Sequence, residues 1–136
     1  MVPSQAAALF YLAIFALLLV LLSVRVSMAR RHHHVALGDG GKPEVLRAMR
    51  AQANYVEYTP TFMIVLAALA YVREPSWMIH ALSLIFLAGR LVHAWAMTQE
   101  GPAQARGRAG GMTLTWAALI VGAIMLLGRV LAGPTF

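Results

Sequence analysis

From Ala6 to Val24 the sequence runs through 19 residues without a charge. At 1.5 Å per residue an α-helix of that length spans roughly 30 Å, the thickness of a hydrocarbon core. Three more apolar stretches follow, Tyr55 to Val72, Trp77 to Met97 and Ala109 to Gly128, each about long enough for one crossing. The rest of the composition agrees, since 60% of the 136 residues are hydrophobic and 12% charged, against about 25% charged in an ordinary soluble domain. The expectation is an all-α membrane protein: a single domain over residues 1–136 forming a four-transmembrane-helix bundle, with helices near 5–26, 44–72, 77–98 and 107–131.

Ser27-Met28-Ala29 has the small-x-small pattern of a leader-peptide cleavage site, but the charges around the first stretch are ordered otherwise. Nothing positive precedes it, whereas Arg25, Arg30 and Arg31 follow, as in a helix held with its C-terminal end in the cytoplasm. The first loop, Ser27 to Lys42, contains Gly38-Asp39-Gly40-Gly41, a turn-rich run in which glycine permits positive φ. Pro43-Glu44 suits the first turn of the second helix, proline lacking an N–H and glutamate complementing the dipole. The second loop is short, Arg73 to Ser76, and the third runs from Thr98 to Arg108.

Lysines and arginines near the membrane concentrate on one side. Arg25, Arg30, Arg31, Lys42, Arg47, Arg50, Arg106 and Arg108 flank loops one and three, against Arg73 and Arg129 at the other end. Loops one and three are therefore read as cytoplasmic and both termini as outside. Topology also accounts for the formal charge of +6 without a nucleic-acid partner. Cysteine is absent, which excludes disulfides, thiolate metal sites and a cysteine nucleophile within the chain. His32, His33 and His34 diverge too much as neighbours to hold one ion, so no metal site is assigned; interfacial attraction to anionic membrane lipid is the simpler account.

The second helix is the exception to apolarity. At 100° per residue, Arg47, Arg50, Asn54, Glu57, Tyr58 and Thr61 share an arc of about 100°. Charges at the centre of a membrane helix cost at least about 2.5–3.5 kcal/mol each, so such a stripe faces a bundle interior or a wet cavity rather than lipid. With Arg90 and Arg108 added, guanidinium exceeds carboxylate at this end, Glu57 being the one acid inside the helices there. A carboxylate ligand would balance it. Pro60, directly after the stripe, leaves the carbonyl of Val56 without its usual helical partner, and a bend is expected.

The run Arg50-Ala51-Gln52-Ala53-Asn54-Tyr55-Val56-Glu57-Tyr58-Thr59-Pro60 resembles the second-helix signature of the MAPEG family, membrane-associated proteins in eicosanoid and glutathione metabolism. The Arg-x-x-x-Asn-x-x-Glu-Tyr spacing and the following proline match, and Gly38-Asp39-Gly40-Gly41 with Leu46-Arg47-Ala48 is similar to the bacterial branch. The resemblance implies a homotrimer in a bacterial inner membrane, with glutathione as co-substrate held between subunits near the cytoplasmic surface. It further implies glutathione contacts from Arg50, Gln52, Asn54, Glu57 and Tyr58, from Arg30 of a neighbouring subunit, and from Arg90; His93 is a further candidate at the ligand, as a donor or base, its alternative being a packed, hydrogen-bonded histidine. The arginine that activates the thiol aligns with Arg108, Arg106 being a second candidate.

Two positions depart from the eicosanoid synthases, which carry tyrosines three and seven residues after the helix-three arginine; here His93 and Met97 stand there. The expected function is a membrane-bound glutathione transferase or peroxidase acting on lipophilic electrophiles or hydroperoxides. The alternative is a non-catalytic relative that binds a lipid or another amphipathic anion.

Overall fold

The structure, a computed structural model, describes residues 1–133 and consists of four helices. They are α1 (Pro3–His32), α2 (Pro43–Tyr71), α3 (Ser76–Ala96) and α4 (Gly101–Leu131). Proline occupies the first turn of α1, α2 and α4, where its missing N–H sacrifices no helical bond. Two helices are longer than their apolar stretches predict. α1 continues past residue 26 to His32, with Arg30, Arg31 and His32 in a last turn where the dipole favours cations. α4 starts six residues before position 107, at Gly101, because Pro102 pre-sets the helical φ. Arg30 and Arg106 are therefore helical residues in fixed register, where a loop location was expected for both, and Arg108, expected at the very start of the fourth helix, lies further along it.

Loop one turns on glycine as anticipated, with φ of 67°, 58° and 69° at Gly38, Gly40 and Gly41. The Asp39 carboxylate accepts from the Gly41 N–H at 3.0 Å, closing the turn. In loop two, Glu74 is buried and accepts from the Arg129 guanidinium at the end of α4, a pair the sequence reading did not anticipate.

α1 packs on α2 and α3, and α4 packs on α3 and α2, so the order around the bundle is α1, α2, α4, α3, with α2 and α3 also meeting across the middle. α1, α3 and α4 are each long and apolar enough to cross a membrane. α2 has the length, with 29 residues, but carries the polar stripe; it runs without interruption through Pro60, which lies exposed. Lipid gives little hydrophobic drive for helix association, so shape and polar ties matter most. The Phe62 and Phe86 rings stack 3.9 Å apart, and Phe15 meets them edge-on at 5.7 and 5.4 Å. Two turns from Phe62 along α2, the Tyr55 hydroxyl donates to the Phe15 carbonyl at 2.6 Å, tying α2 to α1. Between α3 and α4 the approach is closer still: a Cβ on Gly111 would sit 2.7 Å from the Gly89 carbonyl oxygen.

Candidate functional site

The residues of α2 divide by face. Val45, Ala48, Ala51, Tyr55, Thr59, Phe62, Leu66 and Leu69 are buried against the other helices. Arg50, Glu57 and Thr61 are exposed, and Asn54 and Tyr58 are half-buried between the two faces. The stripe therefore lies on the outer flank of its own bundle, not in the bundle interior. The reason is spacing: the apolar positions recur over the full length of α2 and take the inward face, leaving the charged arc outside.

Arg90 sits behind this flank. Only 2% of it is exposed, because Gly89 and Gly111 let α3 and α4 close over it. One terminal nitrogen donates to Asn54 Oδ1 at 2.7 Å. The other donates to the Thr115 hydroxyl and lies 3.5 Å from Met112 Sδ. The Tyr58 and Phe86 rings stand 5.6 and 5.7 Å from the guanidinium carbon. Asn54 Nδ2 in turn lies 3.5 Å from Glu57 Oε2. Thr115 was missed in the sequence, although Gly111, Thr115, Ala118 and Gly122 are the buried residues of α4 and recur at helical spacing. A hydroxyl in a run of small residues was the available signal.

The other expected site residues are distributed as follows. Gln52 faces α1 and donates to Ser23 Oγ at 2.7 Å, away from the charged arc. Arg30 Nε donates to the Gly38 carbonyl at 3.1 Å, and its Nη2 lies 3.6 Å from Met49 Sδ, so it clasps loop one of its own chain. It also lines an open recess with Ser27, Arg31 and His34. His93 is buried on α3, one turn beyond Arg90, against the backbone of Gly111. Arg106 and Arg108 are exposed on the first turns of α4.

The arginine surplus is smaller than the count of residues suggested, because Arg47 is paired with Glu100 at 2.9 Å and Glu44 at 3.6 Å. These contacts set the start of α2 beside the start of α4. Among the described residues no carboxylate lies within 4 Å of Arg30, Arg50, Arg90, Arg106 or Arg108, nor a cation within that distance of Glu57. Among the described residues this end of the molecule thus combines guanidinium groups that lack a carboxylate partner with one helical carboxylate, Glu57, that lacks a cation, a pattern suited to an anion that also carries an ammonium group.

Comparison with known proteins agrees with this architecture. The MAPEG family matches residues 8–128. Two curated relatives from Escherichia coli strains, both called inner membrane protein YecN, are each 35% identical over 111 residues, covering 82% of this chain and 82% of theirs.

Proposed function

This chain belongs to the MAPEG family of multi-pass membrane proteins, and from that premise we propose that it is a glutathione-dependent transferase or peroxidase acting on small lipophilic electrophiles or hydroperoxides. The observation that carries the proposal is the outer flank of α2, where Arg50 and Glu57 are exposed and Asn54 and Tyr58 half-buried, with no oppositely charged group within 4 Å of Arg50 or Glu57 among the described residues; Arg106 and Arg108, exposed at the start of α4, likewise have no carboxylate within that distance. Glutathione has two carboxylates and one ammonium, which several arginines and one glutamate complement. A charged flank facing lipid would be costly, so a second copy of the chain covers it, and a homotrimer with glutathione between subunits is the assembly proposed. α2 then makes the fourth crossing, with loops one and three cytoplasmic and the protein in a bacterial inner membrane, as the relatives' name suggests.

In this reading Arg50, Asn54, Glu57 and Tyr58 bind the co-substrate, with Arg30 and His93 at its margin, and Arg108 stands near the sulfur, with Arg106 as the alternative. A free thiol has a pKa of about 8.5, and each unit of lowering by a guanidinium is about 1.36 kcal/mol of thiolate stabilisation. The thiolate, its proton having passed to solvent, then forms a C–S bond to an electrophilic carbon in the bilayer as the bond from that carbon to its leaving group breaks and the electron pair departs with that group; with a hydroperoxide instead, two glutathione thiols are oxidised to the disulfide while the O–O bond is reduced to an alcohol and water. Glutathione-dependent turnover of a lipophilic electrophile in detergent tests the proposal; no turnover, with no heat of glutathione binding, would sink it.

A second reading is favoured by His93 and Met97, each 6% exposed where the eicosanoid synthases carry tyrosines. It is a non-catalytic protein of the same fold that binds a lipid or another amphipathic anion. Calorimetry separates the two, since heat with an anionic lipid and none with glutathione supports only this one.

A further inference from the structure

Resting on the reading of the α2 flank as a glutathione site, we infer that Arg90 is a positioning residue that acts through Asn54, fixing the orientation of that amide and with it the Asn54–Glu57 pair. A ligand cannot reach Arg90 directly, since 2% of it is exposed. The inference follows from donors and acceptors. A guanidinium only donates, so the side chain facing it at 2.7 Å must present oxygen, and Asn54 Oδ1 is held inward. Nδ2 is thereby turned outward, 3.5 Å from Glu57 Oε2. Released from Arg90, the amide is free to rotate and set its oxygen against the Glu57 carboxylate, acceptor against acceptor.

The constraint extends to α4. The Thr115 hydroxyl donates to the Gly111 carbonyl at 2.8 Å, so its proton is spent and only lone pairs remain for the second terminal nitrogen of Arg90. Arg90 Nε is buried with no partner among the described residues, so the group is held by its two ends. Its acceptors are neutral: a hydroxyl, an amide, the Met112 thioether sulfur at 3.5 Å and the backbone carbonyl of Asn54 at 3.5 Å. A carboxylate would bind a buried guanidinium more tightly. The neutral set keeps Glu57 unpaired and available to a ligand ammonium.

A double-mutant cycle on the full-length protein in detergent tests this, read as the dissociation constant for glutathione by calorimetry. Arg90→Lys, which cannot span both acceptors, should weaken binding about tenfold or more. In an Asn54→Ala background the same change should alter binding less than about twofold, because Arg90 then has no amide to orient. A general packing role for Arg90 would weaken binding equally in both backgrounds, and that result overturns the inference. Thr115→Val, which keeps volume and removes one acceptor, should act in the same direction and fall silent with Asn54→Ala. It decides the matter if Arg90→Lys does not fold, and normal affinity in Thr115→Val would then overturn the inference. Wild-type protein that binds no glutathione overturns the site reading and this inference together, whereas tight wild-type binding with an additive cycle overturns the inference alone.

Discussion

Arg47 and Glu100 stand 53 positions apart in sequence, yet Arg47 Nη1 donates to Glu100 Oε1 at 2.9 Å, joining the second turn of α2 to the residue before α4. Arg50, one turn further along α2, has no carboxylate within 4 Å among the described residues. The two arginines are alike in sequence and opposite in circumstance. Arg47→Ala should change stability by less than about 1 kcal/mol, as exposed ion pairs do, and leave glutathione affinity within about twofold. Arg50→Ala should weaken glutathione binding about tenfold or more, measured by calorimetry.

Thiolate stabilisation is expected to rest on one of the two exposed arginines of α4. Arg108→Ala should lower glutathione-dependent turnover by about 10²-fold, the usual cost of removing a group aimed at developing or reacting charge. Arg106→Ala should lower it by much less. Steady-state rates in detergent at saturating glutathione check this, and a reversed ranking would transfer the role to Arg106.

Close approach of α3 and α4 depends on particular glycines. A Cβ on Gly111 would meet the Gly89 carbonyl oxygen at 2.7 Å and the His93 backbone nitrogen at 2.8 Å, whereas a Cβ at the adjacent Gly110 meets nothing within 4 Å. Gly111→Ala should destabilise by about 1–3 kcal/mol, because neither backbone can give way without parting the helices. Gly110→Ala should be neutral or slightly stabilising, as alanine is the better helix former. Thermal unfolding of both variants in the same detergent makes the comparison.

Tyr55 ties α1 to α2 through its hydroxyl while its ring fills the core. Tyr55→Phe keeps the ring and removes only the donor to the Phe15 carbonyl, which retains its helical bond. The expected loss is about 0.5–1.5 kcal/mol, seen as a lowered Tm without change in glutathione affinity.

Much of the fold was legible because lipid imposes simple rules on sequence. Runs such as Ala6–Val24 announce helices by length alone, and the glycines of loop one announced their positive φ. Helix ends were less legible: α1 and α4 overrun their apolar stretches into segments rich in arginine, where capping and the dipole decide the boundary rather than hydropathy. The stripe on α2 was visible from its period, but which way it faces depends on the competing apolar arc. Its internal partners were hidden for a different reason. Thr115 and Glu100 reach Arg90 and Arg47 from distant positions, and Gln52, adjacent to the stripe in sequence, turns instead to Ser23. Pairings of that kind depend on helix rotation, which a single sequence does not encode locally.

The stack of Phe62 and Phe86, closed on its side by Phe15, has a bearing on how compounds arrive. All three rings are fully buried and belong to one apolar core, so they offer no surface to a reactant. In the proposed reaction a lipophilic reactant reaches the flank of α2 sideways from the bilayer, and its local abundance would be set by partitioning into the membrane rather than by its concentration in water. Among reactants of equal intrinsic reactivity, those with longer alkyl chains should therefore be consumed at lower bulk concentrations.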